Sequence, residues 1–288
     1  MAKYVVTGVT GRVGSAVATE LIRGGVRPTV IVRSEGAQAD WNAKGADAVI
    51  GSLADAAFLD MTLRGASGFF VVLPENVQPD DFHGARRRMA ETIAAAVASS
   101  HVPHVVMQSA IAACIADGNG PAKDLHYLEN LLRATGTRVT ILRSTYFQDN
   151  VAGALVAATH AGIYPHFFPS DDMAFPMIAT KDAGIFAARA LLEPSGRTET
   201  VLLLGPAYSA RDIATKLGGA LGKPLHIVAV PPAERVAALT NAGVPQQLAE
   251  AVAEMMEAFG AGKIAPVGDR QLMGSTPIDD VITQIVRA

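Results

Sequence analysis

The chain contains little cysteine and little charge. Its 288 residues include one cysteine, Cys114, which excludes an intrachain disulfide and agrees with a reducing compartment. Only 18% of the residues are charged whereas 50% are hydrophobic, a balance that argues against disorder and coiled coil. The net charge of −3 offers no summed positive field to hold a phosphate backbone. The composition therefore predicts a folded globular protein that does not bind nucleic acid directly.

The sequence also lacks a long apolar run. Its longest weakly polar segment, 105–116, is interrupted by Gln108 and Ser109 and is shorter than the roughly 18 residues needed to cross a bilayer. The N-terminal residues Met1-Ala2-Lys3 do not lead into an apolar signal region with a cleavage site. We therefore expect a protein without membrane segments, located in the cytoplasm.

Short β-branched runs alternate with longer segments of helical spacing. The runs are apolar throughout, which is typical of parallel strands covered on both faces. The predicted strands are 4–7, 29–32, 48–50, 69–73, 105–108, 139–142 and 201–204, and helices are predicted over 85–99 and 122–134. Between the first two strands, Val13, Val17 and Leu21 recur every four residues and form one apolar stripe. This order predicts an α/β fold with a doubly wound parallel sheet of the Rossmann type.

After about residue 150 the pattern changes. A segment rich in aromatic residues and proline, 164–176, precedes mainly helical spacing with few strand signals. We predict a Rossmann domain over 1–150 and a smaller, helix-rich cap over 151–288, with some of its segments returning to the main sheet. The apolar face of one cap helix is interpreted as core, with a subunit or substrate contact as the alternative. That face contains Leu248, Val252, Met255, Met256 and Phe259.

Three glycines follow the first predicted strand at G-x-x-G-x-x-G spacing. In Thr7-Gly8-Val9-Thr10-Gly11-Arg12-Val13-Gly14, Gly8 permits the tight turn, Gly11 removes a Cβ that would block a pyrophosphate, and Gly14 lets the helix lie close to the strand. The following helix points free N–H groups and its positive dipole end at that phosphate. Because the triplet lies between a strand and an amphipathic helix, it predicts a dinucleotide site, with a purely structural turn as the alternative.

The end of the second predicted strand distinguishes between NAD and NADP. An acidic residue there would bind the ribose hydroxyl of NAD, whereas a basic residue would pair with the 2′-phosphate of NADP. The sequence has Arg33 at this position, and Arg12 in the glycine turn is a second candidate contact. Glu35, two positions after Arg33, is an acidic residue and argues against NADP. The alternative for Arg33 is a solvated strand end without a ligand. The pattern predicts NADP(H) as the preferred cofactor and NAD(H) as the second choice.

With these residues the chain resembles the atypical short-chain dehydrogenase/reductase family, in particular its NmrA-like branch, which includes type 2 NAD(P)H:quinone oxidoreductases. The Thr-Gly-x-Thr-Gly-x-x-Gly start at Thr7 is shared widely. More specific are Thr140-Ile141-Leu142-Arg143 with Tyr146-Phe147-Gln148-Asp149-Asn150, similar to the family's T-x-L-R and F-x-x-N segment. Ile178-Ala179-Thr180-Lys181-Asp182-Ala183-Gly184 is similar to its A-T-x-D-x-G/A segment. The resemblance covers nearly the whole chain.

The resemblance implies further positions in the site. It places Leu53, Leu73 and Pro74 along the nucleotide groove, Ser109 where larger relatives keep a catalytic serine, and Phe147 and Asn150 beside the nicotinamide or substrate. Phe147 has a core role as its alternative. The predicted cofactor residues are Gly8, Thr10, Gly11, Arg12, Val13, Gly14, Arg33, Leu53, Leu73, Pro74, Ser109, Lys123, Phe147 and Asn150. The predicted substrate residues are Tyr146, Phe147, Tyr164 and Phe167.

The chain departs from the wider family because it has no Tyr-x-x-x-Lys motif. In that motif the lysine lowers the pKa of the tyrosine, which moves a proton while the nicotinamide moves a hydride. Counting from Ser109, the tyrosine position falls near Ala122 and the lysine position near His126. The same predicted helix supplies Lys123, His126 and Tyr127, which are the candidate catalytic residues. A packed or solvent-facing helix side is the alternative for His126 and Tyr127.

Two functions fit these features. The first is an NAD(P)H-dependent oxidoreductase that transfers hydride to a quinone-like or other conjugated acceptor, with the proton taken from water. The second is a regulatory protein that binds NADP(H) as a redox sensor without turnover. The aromatic segment 164–168 favours the reductase because it could stack on a flat acceptor, although it could equally pack as part of the cap.

Other features of the sequence leave the partners open. A homo-oligomer and a regulatory protein partner both remain compatible with the sequence, alongside a small-molecule substrate. His101 and His104 flank Pro103 without a further ligand cluster, so no metal site is predicted. The run Arg86-Arg87-Arg88 is interpreted as a solvated helix face, with an anionic partner as the alternative.

Overall fold

The β-branched runs of the sequence form the centre of the fold. The protein is described from a computed structural model that covers residues 2–75 and 79–287. Eight parallel strands form the main sheet, and all seven predicted strands are among them. In chain order they are β1 Tyr4–Val6, β2 Thr29–Val32, β3 Asp47–Ile50, β4 Gly68–Val72, β5 His104–Ala110, β6 Arg138–Ser144, β10 Glu199–Leu204 and β13 Arg270–Met273.

The strand order confirms the doubly wound topology. The order across the sheet is β3-β2-β1-β4-β5-β6-β10-β13. The central strand β1 pairs with β2 through Val5 and Thr29 and with β4 through Val5 and Phe69. The chain therefore reverses its direction of growth between β1 and β4, and in such sheets ligands bind beyond the carboxyl ends of the strands at this point.

Helices cover both faces of the sheet. They are α1 Arg12–Arg23, α2 Glu35–Ala43, α3 Ala56–Leu63, α4 Phe82–Ser100, α5 Ala122–Ala134, α6 Leu155–Ala161, α7 Thr180–Leu192, α8 Ala210–Leu221, α9 Arg235–Asn241, α10 Gln246–Gly260 and α11 Ile278–Arg287. On one face, Leu21 of α1 and Leu191 of α7 pack with Val6. On the other face, Ile93 of α4 and Leu132 of α5 pack with neighbouring strand residues. Two buried cores result, one on each side of the sheet, as expected for strands without polar faces.

The C-terminal part contains more strand than its sequence pattern indicated. Two small sheets lie there, built from β7 Tyr146–Phe147, β9 Phe175–Ile178 and β11 Ala207–Tyr208, and from β8 Ile163–His166 and β12 His226–Ala229. A third core joins these strands with α8 and α11. β10, β13 and α7 follow residue 150 but belong to the layers of the main sheet, so the division at residue 150 stays a prediction. In the part of the chain that the structure covers, no helix has the length and hydrophobicity to span a membrane.

Candidate functional site

The glycine turn lies at the carboxyl end of β1, at the point where the sheet reverses. Gly8 has a φ of +69°, and a Cβ there would overlap the side chain of Val72. A Cβ on Gly14 would overlap the backbone carbonyl of Gly8, so α1 can approach β1 only through a glycine. Gly11 begins α1 without a side-chain hydrogen bond to cap it, and Thr10 and Gly11 are exposed. The first-turn N–H groups are thus available to an anion, while Val13 is buried in the core below.

Arg12 connects the glycine turn to a second segment. Its guanidinium Nη1 donates to the carbonyl of Asp149 at 3.0 Å. The Asp149 carboxylate in turn accepts from the backbone N–H of Thr180 at 2.8 Å and from its hydroxyl at 2.6 Å, at the start of α7. The F-x-x-N and A-T-x-D segments therefore meet at Asp149, directly beside the glycine turn.

Arg33 follows β2 and is exposed at the same edge of the sheet. Ser34 caps α2 by accepting a hydrogen bond from the N–H of Ala37, which makes Glu35 the first residue of that helix. A carboxylate at a helix N-terminus is favoured by the helix dipole, so Glu35 has a local structural reason for its position. Arg33 is left as the basic residue at the strand end.

Leu53, Leu73 and Pro74 lie after β3 and β4, at the same edge of the sheet. Leu73 is buried, while Leu53 and Pro74 are half-buried. The loop after β4 is held from behind by Arg86, whose Nη1 donates to the carbonyl of Pro74 at 2.7 Å. Leu53 thus approaches this edge from the loop after β3, and Leu73 and Pro74 approach it from the loop after β4.

The interpretation of 86–88 as a solvated face is wrong for Arg86. Its side chain is 1% exposed, and its Nε donates to the fully buried Asp124 at 3.0 Å. Burial lowers the pKa of Arg86, and the carboxylates of Glu75 and Asp124 oppose that shift. His83 Nδ1 also lies 2.7 Å from the Asp124 carboxylate. A buried guanidinium needs such partners, so this residue holds the loop after β4 against α5.

Ser109 takes part in a buried network. Its hydroxyl donates to Glu129 on α5 at 2.6 Å. Glu129 also accepts two hydrogen bonds from Arg143, at 3.0 and 2.7 Å. Arg143 reaches further, to the carbonyls of Ala113 at 3.2 Å and Val267 at 3.1 Å. The Ser109 hydroxyl is committed to this network, which fixes the loop after β5 and the segment before β13.

The three candidate catalytic residues on α5 face two different neighbours. Lys123 lies 3.8 Å from Asp117, and the Nδ1–H of His126 donates to the carbonyl of Ala113 at 2.9 Å, so both face the loop after β5. Tyr127 instead faces α4 and donates to Glu91 at 2.9 Å. This hydrogen bond raises the pKa of Tyr127, opposite to the shift that a catalytic tyrosine needs. The structure separates Tyr127 from the other two.

A cavity of about 320 Å³ lies beyond the carboxyl ends of β6 and β10. Its floor includes Thr145, which directly follows β6, Leu204, which ends β10, and Ile111, which follows β5. The rest of its wall is mainly aromatic and apolar side chains from the C-terminal part, with Gln271 of β13. They include Tyr146, Phe167, Phe168, Phe175, Met256 and Phe259. The cavity has the apolar character and position expected of a small-molecule site in an α/β sheet.

The predicted substrate residues divide between this cavity and the cores. Tyr146 and Phe167 line the cavity, and the Tyr146 ring meets those of Phe168 and Phe175 edge to face, with centroids 5.9 Å apart. Tyr164 packs in the third core and stacks on His166, and burial raises its pKa. Phe147 packs against the core under α1 and α7. These two rings are turned away because β7 and β8 alternate their side chains between faces.

Asn150 joins the two sides of the site. It is exposed, and its side chain lies close to the hydroxyl of Tyr146. Burial raises the pKa of Tyr146, and the Asn150 side chain opposes the shift. Tyr146 therefore stays a neutral phenol at the cavity wall. The 146–150 segment thus reaches from the cavity to the Asp149 carbonyl that Arg12 binds.

The apolar face of α10, interpreted as core with a subunit or substrate contact as the alternative, divides between a core and the cavity wall. Met255 packs near Ala112 and Ala122, as a core residue would, but Met256 and Phe259 line the cavity. Phe259 is 38% exposed and Met173 is 48% exposed, so they form the mouth of the cavity. The helical spacing of apolar residues gave a signal for this face but none for what it would meet.

Known proteins share both the sequence pattern and the fold. An NAD(P)H azoreductase from Xenophilus azovorans is 26% identical over 87% of this chain and 85% of its own. The (4-alkanoyl-5-oxo-2,5-dihydrofuran-3-yl)methyl phosphate reductase of Streptomyces griseus is 28% identical over 77% of this chain and 75% of its own. The structure of the NADPH-dependent quinone oxidoreductase of Escherichia coli, complexed with NADPH, covers 98% of this chain and 99% of its own, with 20% identity and a TM-score of 0.80.

A family model gives the assignment directly. The model of the NmrA-like family matches residues 2–284, which is nearly the whole chain. The match includes the glycine turn, the 140–150 segment and the 178–184 segment that meet at Asp149. The chain therefore belongs to the NmrA-like family.

Proposed function

We propose that the chain is an NAD(P)H-dependent reductase that prefers NADPH and transfers hydride to a quinone-like or other conjugated small-molecule acceptor. The 146–150 segment carries this proposal. At one end Tyr146 lines the apolar cavity, and at the other the Asp149 carbonyl accepts from Arg12 of the glycine turn at 3.0 Å. A bound cofactor and a bound acceptor would meet along this segment, and a reductase needs them in contact.

The glycine turn fits a pyrophosphate. Packing accounts for the glycines at 8 and 14, but a Cβ on Gly11 would meet only the Gly8 carbonyl, at 3.3 Å, and otherwise open space. We attribute the missing side chain at Gly11 to a ligand that approaches the backbone. Arg33 would bind the 2′-phosphate, with Leu53, Leu73 and Pro74 along the groove. When bound, NADPH supplies the hydride.

The chain's own residues would hold the acceptor and leave it one opening to solvent. The aromatic wall around Tyr146 gives a flat conjugated molecule rings to stack on, and the mouth at Met173 and Phe259 admits solvent at one end. A quinone would take up the hydride and one proton from water at this mouth, and would leave as the hydroquinone. Correct placement then supplies most of the rate, so no Tyr-x-x-x-Lys pair is required. Lys123 and His126 stay candidates for contacts near the ribose.

The names of the relatives agree with this acceptor class. They include an azoreductase and a quinone oxidoreductase, both of which act on conjugated compounds. The redox sensor is the second candidate, because Tyr127 on α5 is committed to Glu91 rather than to a substrate. A cytoplasmic location and the lack of a nucleic-acid ligand stay predictions.

The test is cofactor binding followed by turnover. NADPH and NADH are titrated against the protein, and a panel of quinones and azo compounds is then added while the absorbance of the reduced nicotinamide is followed. We expect tighter binding of NADPH and its rapid oxidation by at least one acceptor. Binding of NADPH without oxidation by any compound in the panel would favour the sensor, and no binding of either cofactor would contradict both functions.

A further inference from the structure

The acceptor cavity carries no charge on any of the described residues that line it. Its polar side chains are Thr145, Tyr146 and Gln271. The hydroxyl of Thr145 donates to the carbonyl of Leu203 at 3.1 Å, and the Tyr146 hydroxyl lies close to the uncharged side chain of Asn150. The wall can therefore offer an acceptor rings, a neutral phenol and an amide, but no counter-ion.

One buried cation, Arg235, lies close to this wall without lining it. Its Nη2 donates to the backbone carbonyl of Phe167 at 3.3 Å, and the residue is 8% exposed. Phe167 lines the cavity and Arg235 does not, so the segment that contains Phe167 separates the guanidinium from the cavity. The Nε atom of Arg235 has no partner among the described residues. Arg143 also lies near the wall but is paired with Glu129, so Arg235 is the nearby cation with a donor left for an anion.

The shape of the cavity limits the acceptor as well. Its volume of about 320 Å³ is at the lower end of the range for small-molecule sites, roughly 300–1,000 Å³. This size favours acceptors with one or two fused rings. A sulfonate or phosphate on such a ring would lose its water without gaining a partner, and that loss is severe enough to weaken binding roughly 100-fold.

The position of α10 makes Met256 the site at which charge selection can be changed. The side chain of Gln247 on this helix accepts from the N–H of Phe82 at 2.9 Å. Gly120, with a φ of +58°, lies against the Ala251 carbonyl so closely that a Cβ would overlap it. These two contacts anchor α10 to the start of α4 and to the loop after β5. A substitution at the half-buried Met256 would therefore change the cavity wall without releasing the helix.

We infer that the cavity selects small, planar, uncharged conjugated acceptors and rejects those that carry a sulfonate or phosphate on the ring. The inference rests on the proposed reductase function and leaves its reaction unchanged, since charge decides only which acceptor binds. It assigns to Met256 and its neighbours the role of specificity residues.

The experiment compares naphthoquinone with naphthoquinone sulfonate, which share one ring system. Calorimetric titration of each into the protein loaded with 1,4,5,6-tetrahydro-NADP, whose uncharged ring cannot donate hydride, measures binding without turnover. We expect the sulfonate to bind at least about 100-fold more weakly. Met256→Lys places a cation in the wall and should strengthen sulfonate binding about tenfold or more, whereas Met256→Gln, of similar length without charge, should not. Circular dichroism verifies that both variants are folded.

The outcomes separate this inference from the proposed function. If wild-type protein binds the sulfonate as tightly as naphthoquinone, the inference is overturned, and loss of that binding in Arg235→Gln would place the anion on Arg235. Oxidation of NADPH is then measured with the same pair. A protein that binds only the neutral quinone without oxidising NADPH supports the charge selection and contradicts the reductase. A protein that oxidises NADPH faster with the sulfonate than with naphthoquinone contradicts the charge selection and supports the reductase.

Discussion

At the glycine turn the site is built from backbone, whereas the acceptor cavity is built from side chains of several separate segments. Gly8 and Gly14 leave no room for a Cβ, and the N–H groups of α1 face the expected phosphate. The cavity instead takes rings and methionines from the loop after β8, from β9 and from α10. A backbone site tolerates little change and serves one ligand. A side-chain wall can exchange residues and so adapt to different acceptors on one fold.

The largest effect is expected at Arg86, which holds the loop after β4 beside the proposed cofactor groove. Arg86→Met would leave Asp124 buried with only His83 and the half-exposed Arg87 nearby, at an expected loss of about 3–4 kcal/mol in the free energy of unfolding. Urea unfolding followed by circular dichroism measures this loss. The matched control is Arg88→Met, because the Arg88–Asp81 pair is exposed and should contribute less than about 0.5 kcal/mol. Similar losses in the two variants would show that the buried network does not stabilise the fold.

The next effect tests whether the glycine turn is as restrictive as its geometry indicates. In Gly14→Ala the new methyl group would overlap the Gly8 carbonyl, so the backbone must shift, at about 2–3 kcal/mol. We expect NADPH affinity to fall more than tenfold and the oxidation rate to fall equally for every acceptor, since they share one cofactor. Gly219→Ala is the control, because its Cβ meets no atom within 4 Å and alanine favours the helix there. If Gly14→Ala lost activity with one acceptor only, the glycine turn and the cavity would not be separate in their effects.

The same contrast explains what could be predicted from the sequence. The glycine turn and seven strands of the main sheet carry their signal in consecutive residues, so local patterns were sufficient. β13, with the sequence Arg-Gln-Leu-Met, has no β-branched residue and is a strand because it pairs with β10. The burial of Arg86 depends on Asp124, and the wall of the cavity depends on where α10 packs. These contacts join residues far apart in the chain, and no local pattern encodes them.

A pH titration tests whether acid destabilises the fold at a residue outside both the glycine turn and the cavity. His104 lies at the amino end of β5, opposite the site, and its Nε2 is 3.0 Å from the Thr140 hydroxyl. Burial, with a smaller effect of Arg138, lowers the pKa of His104 from 6.5 to about 4. The unfolded chain therefore binds a proton at pH 5 that the folded chain does not. The contribution of His104 to the free energy of unfolding is therefore full above about pH 6.5. As the pH is lowered this contribution decreases, by about 2 kcal/mol at pH 5.

Unfolding in urea at pH 7 and pH 5 tests this expectation, with His104→Gln as the variant that removes the titrating group. We expect the pH dependence to be smaller in the variant than in the wild type. An unchanged dependence would assign the acid sensitivity to other groups. Because His104 is remote from the glycine turn and the cavity, cofactor affinity at pH 7 should stay the same in this variant.

The smallest effect is expected at Arg33, the proposed contact of the 2′-phosphate. Arg33 is exposed after β2, where solvent screens its interaction with a 2′-phosphate, so its contribution should lie at the low end for an Arg–phosphate contact. We expect Arg33→Asp to weaken NADPH about tenfold or more and to leave NADH nearly unchanged, as measured by titration of both cofactors at one ionic strength. Raising the salt concentration should also reduce the preference of the wild-type protein for NADPH over NADH. Equal weakening of both cofactors would mean that Arg33 supports the turn rather than reads the phosphate, and the cofactor side would then owe its selectivity to the backbone alone.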